Sequence, residues 1–91
     1  MPDIIMDTEA TRVLSKELES ATNELHSIIQ RLSSNVRSVV GSSWISPRAE
    51  QFQSQFEISA DKIRKQILEL EDLRRTLEVE SARWEATSKQ M

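Results

Sequence analysis

The one glycine of this 91-residue chain and one of its two prolines lie in the single short stretch Gly41–Pro47, with few strong helix breakers anywhere else. Glycine and proline are the residues that most disfavour a helix interior. Their confinement to one place divides the chain into two long uninterrupted segments, and the periodicity of those segments decides what they form.

From Asp7 to Val40 the apolar residues Leu14, Leu18, Ala21, Leu25, Ile28, Leu32, Val36 and Val39 recur at steps of three and four, which places them on one face of a helix. Asp7 is placed to cap that helix, because its carboxylate can accept the unpaired N–H groups of the first turn, and Glu9 suits the positive end of the dipole. The preceding Ile4, Ile5 and Met6 are expected to form an extended arm across the helix end. Gly41 follows the last periodic residue, where a left-handed C-terminal cap is least strained for glycine. Residues 41–46, "GSSWIS", then form a loop.

Ser46 is a good N-cap and Pro47 a good first helical residue, since its missing N–H is not needed there. A second apolar face follows through Ala49, Phe52, Phe56, Ala60, Ile63, Ile67, Leu70, Leu73, Leu77 and Trp84 on near-heptad steps. It fades past Ala86, which leaves 87–91 as a tail. Acids four residues ahead of bases, Asp61 with Lys65 and Glu71 with Arg75, are expected to pair on the exposed side.

Two helices, about 7–40 and 47–86, joined by a short loop predict an all-α antiparallel hairpin in one domain, 1–91, with the two apolar stripes facing each other. A two-helix layer has no third element to close its core. Two hairpins are therefore expected to pair into a four-helix bundle. Leu14, Leu18, Leu25, Ile28, Leu32, Phe56, Ile63, Ile67, Leu70 and Leu77 form the seam within or between hairpins, and Val13, Ile29, Val40, Ile58, Leu68 and Val79 widen it.

Composition excludes several functions. Acids and bases alternate along the chain to a net charge of −3, so there is no basic stripe for phosphates or anionic lipid. Nucleic acid and membrane insertion are not expected, and no apolar run approaches the ~20 residues that span a bilayer. The N-terminus "MPDIIMDTEA" has neither a basic nor an apolar leader region, so export, if it occurs, is expected without an ordinary signal peptide. There is no cysteine, and the lone His26 has no second ligand at metal spacing. The carboxylates of "LELEDLRRTLEVE" read as a solvated face beside Arg74 and Arg75 rather than an acid/base pair. No enzyme activity, metal or cofactor is expected.

The loop carries the more specific signal. In "WISPRAEQF", Trp44, Ala49 and Phe52 stand at relative positions 0, +5 and +8, with Phe56 four residues further on. This centre resembles the WXG100 family of small ESAT-6-like helical-hairpin proteins, in which W-x-G is followed by small residues and an aromatic on the second helix. "IIMDTEATRVLSKEL" is similar to the start of the family's first helix, so the resemblance covers nearly the whole chain. Ser46 stands where the family has glycine, which is tolerable if Ser46 caps the second helix and not if the position needs φ > 0. A C-terminal Tyr-x-x-x-acid signal, common among exported members, has no counterpart, because the chain contains no tyrosine.

The resemblance implies a homodimer, or a pairing with a paralogous WXG100-like chain or a larger helical substrate. It also implies secretion without a signal peptide by a type VII (ESX-like) system with an FtsK/SpoIIIE-type ATPase. Trp44, Ser46, Ala49, Phe52 and Trp84 are the expected recognition residues. Trp44 is either the lid of the hairpin core or an exposed anchor. An intracellular coiled-coil scaffold or chaperone that binds partner helices is the alternative.

Overall fold

A computed structural model of the chain describes residues 5–89, and two helices make up nearly all of it. Helix α1 runs Thr8–Val39 and helix α2 Pro47–Lys89. The Asp7 carboxylate caps α1, with Oδ1 accepting from the N–H groups of Glu9 and Ala10 at 3.1 Å each. Helix α2 continues past Ala86, because nothing between Trp84 and Lys89 breaks it: Glu85, Ala86 and Lys89 are good helix formers. The expected tail is therefore helical as far as Lys89, and 90–91 lie outside the described residues. Of the expected arm, Ile4 also lies outside them, Ile5 is exposed and Met6 is half-buried.

The connection departs from a left-handed helix cap by one residue. Val40 is extended (φ −73°, ψ 124°) and Gly41 follows with φ 93°. With Ser42 N–H donating to the Val39 carbonyl at 3.3 Å, this is a type II turn, whose second central position requires positive φ. The N–H groups of Ser43 and Trp44 reach the same carbonyl at 2.9 Å each, and Gly41 N–H donates to the Trp44 carbonyl at 3.0 Å. The Ser42 hydroxyl donates to the Ser38 carbonyl. The loop is tied at both ends by its own backbone.

The two helices pack along their length in a hairpin 68 × 19 × 16 Å. The seam is not the one that hydrophobicity alone predicts. On α1 the buried residues are Ser15, Thr22 and Ile29, seven apart, and Ser33. On α2 they are Ala49, Ala60 and Ile67, and half-buried Arg74 and Ser81 continue the seven-residue step. Small side chains let the backbones come close. Each buried hydroxyl is satisfied: Thr22 donates to the Glu19 carbonyl at 2.9 Å, Ser15 to Glu78 at 3.0 Å, and Ser33 accepts from Arg64 at 3.2 Å.

The expectation that the main apolar stripes face each other is thus corrected. Leu14, Leu32 and Val39 are more than two-fifths exposed, and Leu18, Leu25, Ile28 and Val36 are only partly covered. Ile29, expected beside the stripe, is instead buried in the seam. Helix α1 is turned so that its hydroxyl row meets α2 and its apolar row lies to one side.

What occupies the other side accounts for the rotation. Arg12 reaches Glu85 at 3.1 Å, Arg74 reaches Glu19 at 3.6 Å and Glu78 at 2.9 Å, and His26 meets Glu71 at 3.3 Å. Arg12, Glu19 and His26 lie seven apart, so these contacts run down a single flank. Such half-exposed pairs each add at most about 1 kcal/mol, but together they select one rotation of α1 over another. The expected pairs on α2 also shift: Asp61 meets Arg64 at 2.7 Å and Arg75 meets Asp72 at 2.8 Å, while Glu71 turns across the seam to His26.

Candidate functional site

With the polar flank closed by ion pairs, the opposite flank carries the apolar rows of both helices. On α1 it consists of Leu14, Leu18, Ala21, Leu25, Ile28, Leu32, Val36 and Val39, and on α2 of Phe56, Ile63, Leu70, Leu77 and Trp84 at seven-residue steps, none of them fully buried. Of the ten expected seam residues, Ile67 alone lies in the buried seam of the hairpin, at 1% exposure. The other nine line the open flank. A soluble monomer rarely leaves an apolar patch of this length uncovered.

The flank ends at the loop in an aromatic cluster. Ser46 starts α2 by accepting the Ala49 N–H on its hydroxyl at 3.1 Å, and its carbonyl accepts from Ala49 and Glu50. Among the described residues positive φ occurs at Gly41 and at no non-glycine residue, so Ser46 is unstrained where it stands. Ala49 is fully buried under the turn. One turn on, the Phe52 ring lies 5.6 Å from Trp44 at a 52° tilt, and Phe56 stacks on Phe52 at 6.5 Å. Tilted and offset rings at these spacings attract beyond simple area burial.

Trp44 is 39% exposed and Phe52 45%, and Ile45 beside them projects further into solvent. Trp44 is thus both lid and open surface: with Phe52, Leu32, Val36 and Val39 it lines a shallow recess of about 320 Å³ that opens onto the apolar flank. Trp44, Ser46, Ala49 and Phe52 are brought together by the fold. Trp84 is not with them. It lies near the far end of α2, about 55 Å along the helix from Pro47 at ~1.5 Å per residue, where it shares a recess with Met6.

The polar side offers little chemistry. Its grooves are open and lined by paired side chains such as Arg12, Glu19, Glu78 and Glu85. Among the described residues no three His, Asp or Glu side chains converge as a metal site, and no helix is long and apolar enough to cross a membrane.

The hydroxyl row Ser15, Thr22 and Ser33 is the part that a reading of apolar residues misses. The seven-residue step from Ser15 to Thr22 to Ile29, with Ser33 one turn further, matched by Ala60, Ile67, Arg74 and Ser81 on α2, is the signal that could have revealed it.

A family model described as "Proteins of 100 residues with WXG" matches residues 3–88. No curated protein and no solved structure matches the chain.

Proposed function

The chain belongs to the WXG100 family of ESAT-6-like small secreted proteins of type VII systems, and from that premise we propose that it acts as one hairpin of a dimeric four-helix bundle that the secretion machinery recognises at the Trp44 tip. The observation that carries this reading is the open flank, where apolar rows from both helices run the length of the hairpin and end at a half-exposed Trp44. A second helical hairpin would cover those rows and form the third and fourth helices of the bundle.

In this reading Trp44, Phe52 and the capped turn at Ser46 and Ala49 form a binding anchor, not a catalytic site. Aromatic side chains held at a tip concentrate binding energy when a partner buries them. Trp84 lies too far from Trp44 to join it within one chain, so it contributes to the same surface only from a paired hairpin that runs antiparallel. The receiving partner is the FtsK/SpoIIIE-type ATPase of the system, with export in the folded, paired state. The Tyr-x-x-x-acid signal of many exported members is not contributed by these 91 residues.

The test is Trp44→Ala, followed by thermal melting and by secretion into the medium without lysis. Export lost with a melting point within a few degrees of the parent supports the recognition role. Normal export of a variant that melts early would sink it, and a protein that stays in the cell bound to helical partners would favour a scaffold.

A further inference from the structure

Resting on the reading of Trp44 as the recognition tip, we propose that the partner surface receiving it is an apolar pocket rimmed by carboxylates, which pair with a collar of three arginines, Arg31, Arg37 and Arg48, around the loop end of the hairpin. No Asp or Glu lies between Glu24 and Glu50. That stretch holds the last part of α1, the loop and the start of α2. Its three arginines give it a net +3 in a chain whose total is −3, so the remainder carries −6.

The ion pairs divide the arginines in the same way. Arg12, Arg64, Arg74, Arg75 and Arg83 each hold a carboxylate at 3.4 Å or less. Arg31, Arg37 and Arg48 are exposed and hold none among the described residues. Glu50 is two residues from Arg48, a spacing that turns the two side chains away from each other on a helix. A guanidinium matches a carboxylate in a two-pronged fork, so three of them left bare at one end suit an acidic partner.

Their placement surrounds the tip. Arg37 stands two residues before the end of α1, and Arg31 about 12 Å behind that end at ~1.5 Å per residue. Arg48 is the second residue of α2, one turn before Phe52 and on the same side of that helix. None of the three belongs to the apolar rows, and Arg37 lines a groove on the polar side with Ser33 and Arg64. A second hairpin seated on the apolar flank therefore leaves the collar open. Exposed Trp44 and Ile45 at the centre with charges at the edge reproduce the apolar core and polar rim of a protein interface.

A folded partner is favoured over an extended polyanion such as duplex nucleic acid. A polyanion would reach past the collar to the net −6 of the remaining residues and be repelled there, whereas a pocket meets the tip alone.

The test is binding of the full chain to the purified FtsK/SpoIIIE-type ATPase of its own system. It is measured in about 50 mM salt and again in about 500 mM, where charges are screened beyond roughly 4 Å. The triple variant R31Q/R37Q/R48Q should melt within a few degrees of the parent, since it breaks no bridge within the hairpin. Its Kd should rise at low salt by about twofold to fivefold for each arginine, the range of exposed ion pairs, and approach the parent's at high salt. The control K16Q/K62Q/K65Q removes the same total charge from exposed lysines outside the collar and should bind as the parent does.

A triple variant that binds normally while Trp44→Ala does not would overturn the collar and leave the proposed function standing. Undiminished binding of Trp44→Ala would overturn both. An equal loss in the lysine control, or a loss that persists at high salt, overturns the acidic rim. So does a triple variant that binds the ATPase normally but pairs more weakly by light scattering, which would assign the arginines to the second hairpin. Retention of the parent on duplex DNA or on phosphatidylserine vesicles, lost in the triple variant, would replace the pocket with a polyanion.

Discussion

Ile67 and Leu32 are similar in size and both sit in a heptad pattern, yet the structure assigns them to different interfaces, and truncating each should separate the two. Ile67 is 1% exposed in the seam and Leu32 is 42% exposed on the open flank. Ile67→Ala removes buried methyl and methylene groups and leaves a cavity between close-packed helices, a loss of about 2–5 kcal/mol. At about 4–8 °C per kcal/mol for a domain of this size, the hairpin should melt at least about 8 °C lower. Leu32→Ala removes groups that the hairpin covers only by half, about 1 kcal/mol at ~0.8 kcal/mol per fully buried CH₂.

Leu and Ala have similar helix propensities, so the backbone adds little to the difference. Melts by circular dichroism at low micromolar and at high protein concentration complete the comparison. For Ile67→Ala the deficit should stay constant across concentration. For Leu32→Ala it should grow wherever a second hairpin covers the flank, because the side chain that is half-exposed in one hairpin then lies in a buried interface. Equal deficits at every concentration, or a larger loss at Leu32 in dilute solution, would refute the assigned rotation of α1.

Gly41→Ala should destabilise by about 1–2 kcal/mol, the cost of a left-handed backbone for a residue with a Cβ. An added Cβ there meets nothing within 4 Å, so the cost is one of backbone conformation: Gly41→Asn should cost less than alanine and Gly41→Val more in the same melts. Ser46→Ala should cost about 1 kcal/mol by loss of the cap to Ala49, while Ser46→Gly should cost only a few tenths. A glycine variant as damaging as alanine would show that the hydroxyl does more than cap.

How much of this was legible in the sequence differs from one part of the hairpin to another. Both helices, the caps at Asp7 and Ser46, and the break at Gly41 follow from local chemistry that needs no tertiary context. The rotation of α1 does not. Leucines and isoleucines announce an apolar face wherever they point, whereas Ser15, Thr22 and Ser33 carry no hydrophobic signal and become seam residues only because their small volume permits close approach. Likewise Glu71 has an arginine four residues along its own helix, and only the packed pair of helices shows that it meets His26 instead.

For the recognition tip, the part most exposed to chance in a sequence reading, the register of Trp44, Ala49 and Phe52 locates the cluster. Ring contacts and exposure had to come from the coordinates.

The loop that presents Trp44 has a further consequence, in the entropy of binding. The Val39 carbonyl gathers the N–H groups of Ser42, Ser43 and Trp44, and Gly41 donates back to the Trp44 carbonyl. The indole therefore stands on a turn whose shape is set before any partner arrives. A partner that buries it has little backbone left to order, which is a common source of affinity in small interfaces. Loosening the turn should consequently weaken recognition mostly through entropy, even in variants that leave every aromatic contact of the tip in place.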